Sequence, residues 1–266
     1  EYKGATGAWR FGKMLAGKKK YDLFFCLPDS LSSAIMARAT GSAIRIGFKK
    51  EARSFLLTNA YKKKSGVHRV QEYIDLLEQF TKKKCTSPAV ELLHGNEETE
   101  NFMVININSE ASSRRLPQNK AVQIISAVRK TTDVPILLIG SPKEQEWVDA
   151  VYHLLPDKTG IKNLAGQTNM LELISLMSRC KTVLTTDSGP AHVSNALGIN
   201  TLVLFGAGNE NNTAPFNKNH SFIIRLGKLK CEPCTSNICK RFAVPECLLQ
   251  LDEDLIAQNV LKLLSK

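Results

Sequence analysis

The feature that most constrains this chain is a regular alternation of short apolar runs with segments of helical periodicity. In the second half the apolar runs are MVININ (103–108), VPILLIG (134–140), KTVLTTD (181–187) and TLVLFG (201–206). The short connections between these runs and the helical segments are typical of a parallel sheet covered by helices on both faces. The pattern predicts a doubly wound α/β domain of the Rossmann type, which binds ligands at the carboxyl ends of its strands.

The first third of the chain shows a shorter version of the same pattern. YDLFFCLP (21–28) and RIGF (45–48) are predicted strands, and SLSSAIMARATG (30–41) is a predicted helix. A second helix is predicted for residues 68–80, with its apolar face formed by Val70, Tyr73, Ile74 and Leu77.

Residues 81–101 break this pattern with a lysine run, a proline and an acidic cluster, which is typical of a linker between domains. We therefore expect a partial N-terminal Rossmann-like domain over residues 1–95. A complete second domain is expected over residues 96–266, including a cysteine-rich loop (231–247) and a terminal helix.

The positive charge is concentrated near the start of the chain. Residues 1–95 hold 18 Lys and Arg against 8 Asp and Glu, whereas residues 96–266 hold 18 against 17. Three lysine triplets, at 18–20, 62–64 and 82–84, form either solvated loops or a surface that attracts anionic lipid. Nucleic acid is not expected as a partner, because no aromatic residues interleave with the triplets and no reader motif occurs.

The chain contains no run of eighteen apolar residues, and its first residues lack the features of a signal peptide. It also begins without Met, which suggests that a preceding segment is missing. The sequence thus predicts a cytoplasmic protein. If the lysine triplets bind anionic lipid, the protein also contacts the inner membrane peripherally.

The stretch TTDSGPAH (185–192) lies where an apolar strand gives way to a short helix. Pro190 suits the first helical turn, since it lacks only an N–H that the helix does not use there. The free amides at such a helix start bind phosphate readily, with Ser188 and Gly189 as the cradle. The alternative is an ordinary N-cap, in which Asp187 or Ser188 bonds the helix's own amides.

Four of the seven cysteines are clustered, in the spacing C-x2-C-x4-C-x7-C, as Cys231, Cys234, Cys239 and Cys247. Such a cluster is compatible with a structural zinc site, with local disulfides or with reduced thiols. Neighbouring Lys240 and Arg241 favour thiolates, and hence a metal, whereas a cytoplasmic location disfavours disulfides.

Several segments together resemble glycosyltransferase family 9, the bacterial heptosyltransferases of lipopolysaccharide core assembly. TTDSGPAHVSNALGINTLVLFG (185–206) resembles that family's sugar-nucleotide signature. INSEASSRRLP (107–117) resembles its donor loop, and YDLFFCLPDS (21–30) resembles a segment in which a strand ends in Leu-Pro-Asn-Ser. The resemblance covers nearly the whole chain and implies a GT-B fold of two Rossmann-like domains, with the second binding the sugar donor.

The resemblance also assigns roles to individual residues. Those implied to lie around the diphosphate and sugar of the donor are Ser109, Glu110, Arg114, Asp187, Ser188, Gly189 and His192. Arg114 would stabilise charge on the leaving diphosphate. Glu144 would accept hydrogen bonds from the ribose, and Thr168 would line the base pocket. Glu144 and Thr168 also suit the starts of their own helices, which is the alternative for each.

The implied activity is inverting, metal-independent transfer of a heptose from ADP-heptose to a lipopolysaccharide core or lipid A-type acceptor. Two departures from the family pattern bear on it. Glu110 places a carboxylate where family members have small hydroxyl residues. The family's Gly-Asp turn, whose Asp is the expected catalytic base, has no counterpart here and would precede Glu1. A non-catalytic sugar-nucleotide or anionic-glycolipid binding protein is therefore the alternative.

Overall fold

All the paired strands that the structure describes run parallel to their neighbours, in two separate sheets. The structure is a computed structural model and describes residues 2–95 and 98–265. The chain divides into one unit that ends at Pro88 and a second that begins at Ala89. The α/β fold class with parallel sheets, predicted from the alternation of apolar runs, is confirmed.

The first unit holds a three-stranded sheet of order β1-β2-β3. Its elements are α1 (Gly4–Lys18), β1 (Leu23–Cys26), α2 (Leu31–Ala39), β2 (Ile44–Phe48), a 3-10 helix (Glu51–Leu56), β3 (Asn59–Tyr61) and α3 (Arg69–Thr81). Helix α1, which the sequence pattern did not predict, packs against α2. Gly12 allows this close approach, because a Cβ at that position would lie 2.5 Å from the carbonyl oxygen of Met36.

The second unit holds a six-stranded sheet of order β6-β5-β4-β7-β8-β9. Its strands are β4 (Met103–Asn106), β5 (Ile136–Leu138), β6 (Ile161–Asn163), β7 (Thr182–Thr186), β8 (Asn200–Phe205) and β9 (Ser221–Arg225). Its helices are α4 (Gln118–Thr131), α5 (Gln145–Leu154), α6 (Met170–Arg179), α7 (Gly189–Ala196), α8 (Glu210–Thr213), α9 (Glu246–Leu249) and α10 (Glu253–Leu264), with 3-10 turns at Ser112–Arg114 and Lys218–His220.

Alternate side chains of β4 enter different apolar cores, which shows that both faces of the larger sheet are covered. Met103 and Ile105 pack in a core shared with α4, α5 and α10. Val104 packs on the opposite face with Val183 and residues of α6. This is the consequence of the two-residue period of a strand. The doubly wound arrangement follows from it.

The boundary between the units differs slightly from the prediction. Residues 89–95 belong to the second unit, where the N–H of Leu92 donates to the carbonyl oxygen of Ala196 at 2.9 Å. The predicted boundary after residue 95 adjoins residues 96 and 97, which lie outside the described residues.

The predicted apolar face of α3 is confirmed only in part: Tyr73 packs against the core of the first unit, but Leu77 does not belong to that face. Its buried residues are Glu72, Asp75 and Leu76, whereas Leu77 is 41% exposed. The two buried carboxylates are paired with lysines: Lys63 Nζ lies 3.1 Å from Glu72, and Lys64 Nζ lies 3.1 Å from Asp75. Ion pairing therefore turns a charged face of α3 inward, since a buried carboxylate needs a partner.

Within the part of the chain that the structure describes, no helix is both long enough and apolar enough to cross a bilayer.

Candidate functional site

The larger sheet reverses its strand order between β4 and β7, and the loops that leave these two strands meet at that point. Numbered within the unit the order is 3-2-1-4-5-6, so the crevice lies between the first and fourth strands. The amide of Asn106 donates to the hydroxyl oxygens of Thr185 and Ser188 at 3.1 and 2.9 Å. The hydroxyl of Thr186 donates to the carbonyl oxygen of Asn108. These bonds fix the two loops against each other.

A cavity of about 910 Å³ opens at this switch point. That volume is in the usual range for a small-molecule or cofactor site. Six of the residues predicted from the sequence line it: Ser109, Glu110, Glu144, Thr168, Ser188 and Gly189. Ile139, Met170 and Leu173 supply an apolar part of the wall. The cavity therefore combines an apolar surface suited to a planar base with hydroxyl and charged groups suited to a ribose and phosphates.

The start of helix α7 presents backbone amides to this cavity. Ser188 is the N-cap residue, yet its side chain makes no hydrogen bond to the helix amides. Its hydroxyl donates instead to the carbonyl oxygen of Thr186 at 3.1 Å. Nothing lies within 4 Å of the position that a Cβ would take on Gly189, so the backbone there is open. The helix start is consequently available to an anion, as its dipole and free amides favour.

Glu144 and Thr168 lie on the loops that follow β5 and β6. One carboxylate oxygen of Glu144 accepts from both the N–H and the hydroxyl of Ser141, at 2.9 and 2.8 Å, which closes the turn before α5. Thr168 is not the N-cap of α6, because Asn169 takes that position in a capping box with Glu172. The capping alternative for Thr168 is therefore excluded, and its side chain belongs to the wall of the cavity.

Three predicted residues, Arg114, Asp187 and His192, are absent from the described lining of the cavity. Asp187 is 3% exposed, and its carboxylate lies 3.4 Å from Nη1 of Arg114. His192 is exposed on α7 and acts on the same carboxylate electrostatically. These three residues form a charged group beside the cavity.

Burial raises the pKa of the Asp187 carboxyl, and the charges of Arg114, His192 and Arg225 offset only part of this effect. Folding therefore costs less free energy when the Asp187 carboxyl is protonated than when it is ionised. The stability that the protonated carboxyl contributes is fully present below about pH 3.9, the pKa of aspartate in the unfolded chain. This contribution is lost as pH rises through the higher pKa of Asp187 in the folded protein. We expect the thermal stability of Asp187→Asn to rise relative to that of the wild type as pH increases above about 3.9, because asparagine does not titrate. Calorimetric melting of both proteins as a function of pH tests this expectation.

Asp157→Asn is the control for this experiment. The amide of Thr159 lowers the pKa of Asp157 by hydrogen bonding, so the Asp157→Asn variant should lose stability relative to the wild type as pH rises. Parallel pH profiles for Asp187→Asn and the wild type would contradict the argument.

Arg115 is a cavity residue that the sequence did not single out. Its Nε and Nη2 donate to the carbonyl oxygen of Ser109 at 3.2 and 3.1 Å. Its guanidinium lies over the ring of Trp147, 5.2 Å from the centroid. Arg115 and Lys143 line the cavity together with two carboxylates, Glu110 and Glu144. The cavity therefore holds two cationic side chains that the sequence analysis did not assign, one of them adjacent to the predicted Arg114.

A second feature missed in the sequence is the loop after β8, which packs on Asp187. A Cβ on Gly208 would lie 2.0 Å from Oδ2 of Asp187, so only glycine fits there without a shift. Arg225 holds this loop by donating to the carbonyl oxygens of Gly206 and Gly208. Glycine at this position is thus required by the close approach of the buried carboxylate.

The four clustered cysteines carry free thiols. Among the described residues, no group of three or more His, Cys, Asp or Glu side chains is arranged to hold a metal ion. Burial raises the pKa of the Cys247 thiol to about 11, and nearby Glu232 adds to the effect. The zinc site stays a prediction, which metal analysis of the purified protein would test.

The sheet order, the open start of α7 and the cavity between the loops agree with a sugar-nucleotide site. The family model described as glycosyltransferase family 9 (heptosyltransferase) matches residues 8–243. The chain belongs to glycosyltransferase family 9. The predicted family resemblance is confirmed, and the GT-B fold is confirmed by likeness to solved structures of this family.

Two curated relatives in this family are lipooligosaccharide heptosyltransferases 2 of Campylobacter jejuni subsp. jejuni. The protein of serotype O:2 (strain ATCC 700819 / NCTC 11168) is 25% identical over 264 residues, which cover 91% of this chain and 76% of the relative. The protein of serotype O:6 (strain 81116 / NCTC 11828) is 29% identical over 130 residues, which cover 48% of this chain and 40% of the relative.

Among solved structures, the E. coli ADP-heptose lps heptosyltransferase II has a similar fold. It matches with a TM-score of 0.76 and 22% identity over 97% of this chain and 80% of that chain. At this level of identity the likeness concerns the fold.

Proposed function

We propose that this protein transfers a heptose from ADP-heptose to a sugar hydroxyl of the lipopolysaccharide core. The observation that carries the proposal is the cavity at the switch point, where the uncapped start of α7 adjoins the hydroxyls of Ser109 and Ser188. The relatives named heptosyltransferase 2 support the class of sugar. The similar E. coli protein is named an ADP-heptose heptosyltransferase, which supports the same sugar donor here.

The proposed pose follows the order of groups around the cavity. The base lies against Ile139, Met170 and Leu173, with Thr168 nearby, and the ribose hydroxyls donate to the carboxylate of Glu144. The diphosphate reaches Ser109 and the amide of Gly189. Arg115 lines the same cavity and supplies a fixed positive charge.

The proposed reaction is an inverting displacement that needs no metal ion. The acceptor oxygen forms a bond to C1 of the heptose as the bond from C1 to the phosphate oxygen breaks, and that electron pair leaves with ADP. The acceptor proton passes to a base, which the family resemblance expects to be the aspartate of a Gly-Asp turn. Arg114, Arg115 and the α7 amides stabilise the charge that develops on ADP, since fixed cations and dipoles act most strongly where water is excluded.

The proposal is tested with the full-length protein, ADP-heptose and a lipopolysaccharide core acceptor. We expect ADP to raise the melting temperature more than UDP or GDP, and heptose to appear on the acceptor with release of ADP. ADP binding without transfer would favour the non-catalytic binding protein. Absence of any nucleotide diphosphate binding would overturn both.

The protein also contacts the cytoplasmic face of the inner membrane, near its acceptor. All three lysines of the first triplet (18–20) are exposed and no ion pair is described for them. Lys63 and Lys64 of the second triplet and Lys84 of the third are engaged in ion pairs, so the first triplet is the better candidate for lipid contact. We expect vesicles containing anionic lipid to carry the protein upward in flotation at about 0.1 M salt and to release it at about 0.5 M. Flotation that is indifferent to salt would argue against this contact.

A further inference from the structure

The cysteine-rich loop contacts the loop that carries Arg114, although the two are more than 120 residues apart in sequence. The hydroxyl of Ser113 donates to the carbonyl oxygen of Ser236 at 2.5 Å. The N–H of Ser113 donates to the carbonyl oxygen of Asn237 at 3.2 Å. Ser113 is 1% exposed, whereas Ser236 is half-buried and Asn237 is exposed. The cysteine-rich loop therefore holds Ser113 through two backbone oxygens.

The same cysteine-rich loop is fixed to the loop after β8. The N–H of Thr235 donates to the carbonyl oxygen of Ala207 at 2.7 Å. Glu232 accepts from the N–H of Gly227 at 2.9 Å and lies 3.4 Å from Nη1 of Arg225. Residues 232–237 thus bridge the two loops that flank Asp187, the loop after β4 and the loop after β8.

This bridge fixes the backbone from which Arg114 projects. Ser113 lies in the 3-10 turn Ser112–Arg114, and the N–H of Arg114 closes that turn by donating to the carbonyl oxygen of Ala111 at 2.9 Å. The residues on both sides of Arg114 are held by hydrogen bonds. Ser113 donates to Ser236, and the guanidinium of Arg115 donates to the carbonyl oxygen of Ser109. A displaced Ser113 would move the Arg114 guanidinium away from its place beside Asp187.

We propose that residues 232–237 position Arg114 for the phosphates of the sugar donor, with Ser113 as the positioning residue that transmits the contact. The proposal rests on the function proposed above, because it assumes that Arg114 acts on a bound diphosphate. It assigns a role to the cysteine-rich loop that needs no metal ion. This loop supplies backbone carbonyl oxygens at fixed places, and its cysteines lie on either side of them.

A double-mutant cycle with ADP as the probe tests this proposal. Ser113→Ala removes the buried hydroxyl and retains the backbone N–H. We expect this change to weaken ADP binding about fivefold in calorimetry when Arg114 is present. In the Arg114→Ala background the same change should weaken ADP binding less than about 1.5-fold, because the Arg114 side chain through which Ser113 acts is absent.

Ser178→Ala is the matched control. Ser178 is also buried and donates to a backbone oxygen, that of Ser175 at 2.8 Å, but it lies on α6. This variant should lower the melting temperature about as much as Ser113→Ala and leave ADP affinity unchanged. An equal effect of Ser113→Ala in both backgrounds, or no effect in either, would overturn the positioning role while ADP binding by the wild type stands. Failure of the wild type to bind ADP would instead remove the proposed function, and the positioning role with it.

Discussion

Gly189→Asp should weaken ADP binding about 100-fold while leaving the fold at least as stable as the wild type. Gly189 begins helix α7, and a side chain there meets no other atom within 4 Å. An aspartate at this position places its own carboxylate on the free amides and repels the incoming diphosphate. The same carboxylate complements the helix dipole, a favourable effect of about 0.3–1 kcal/mol.

The two readouts of this experiment separate binding from folding. Calorimetric titration with ADP measures the affinity, and thermal melting without nucleotide measures the stability. Gly189→Ala is the control, since a methyl group fits the open space and carries no charge, so that its loss of affinity should stay below about threefold. If Gly189→Asp binds ADP as tightly as the wild type, the phosphates do not lie at the start of α7.

Arg225→Met should destabilise the fold by about 3 kcal/mol and also weaken ADP binding. Arg225 pairs with Glu210 through two nitrogens, with distances of 2.9 Å from Nε and 2.5 Å from Nη2. Its side chain is only 13% exposed. Methionine would leave Glu210 and the carbonyl oxygens of Gly206 and Gly208 without their cation. Glu232, whose side chain is only 5% exposed, would also lose its cation. Leaving a buried carboxylate without its partner is costly, and the freed loop would no longer hold Asp187 in place.

Urea denaturation of Arg225→Met measures the free energy of unfolding, and titration with ADP measures the coupled loss of binding. Arg179→Met provides the comparison, because Arg179 pairs with Glu100, which is about half exposed. An exposed ion pair contributes less than about 1 kcal/mol, so this variant should stay close to the wild type in both measurements. A stable Arg225→Met that binds ADP normally would show that the loop after β8 needs no such anchor.

The strands of the second unit could be predicted because their signal is local. Val104, Val183 and Val203 each lie in an apolar run bounded by polar residues, and each is buried in a strand of the sheet. Short connections then required parallel strands, and the carboxyl ends of those strands indicated the side on which the ligand binds. By contrast β3 has only three residues and no apolar run, so its pairing with β2 depends on the tertiary fold.

The residues that line the cavity were predicted only in part, because the direction of a side chain in a turn depends on tertiary contacts. Ser188 and Gly189 line the cavity as expected, since the strand-to-helix turn itself places them. Arg114 and Arg115 are adjacent in sequence, yet the 3-10 turn sends Arg114 toward Asp187 and Arg115 toward Trp147. Neither residue type nor spacing distinguishes the two arginines.

The prediction of the buried face of α3 was incomplete for a related reason. Periodicity assigns charged residues to the solvent side, but Glu72 and Asp75 are held inward by Lys63 and Lys64. An ion pair with a residue outside the helix can bury charged positions that an amphipathic pattern assigns to solvent, once the partner charge satisfies the buried carboxylate.

The sequence alone determined the α/β class, the family and the strand-to-helix turn that offers amides to a phosphate, because each depends on short stretches read in order. The tertiary structure decided which strands are neighbours, which arginine lines the cavity and what holds the loops around Asp187. Those features arise from contacts between residues far apart in the chain, such as Ser113 with Ser236 and Asp187 with Gly208. Local sequence patterns do not predict such contacts, because the two residues come together only when the chain folds.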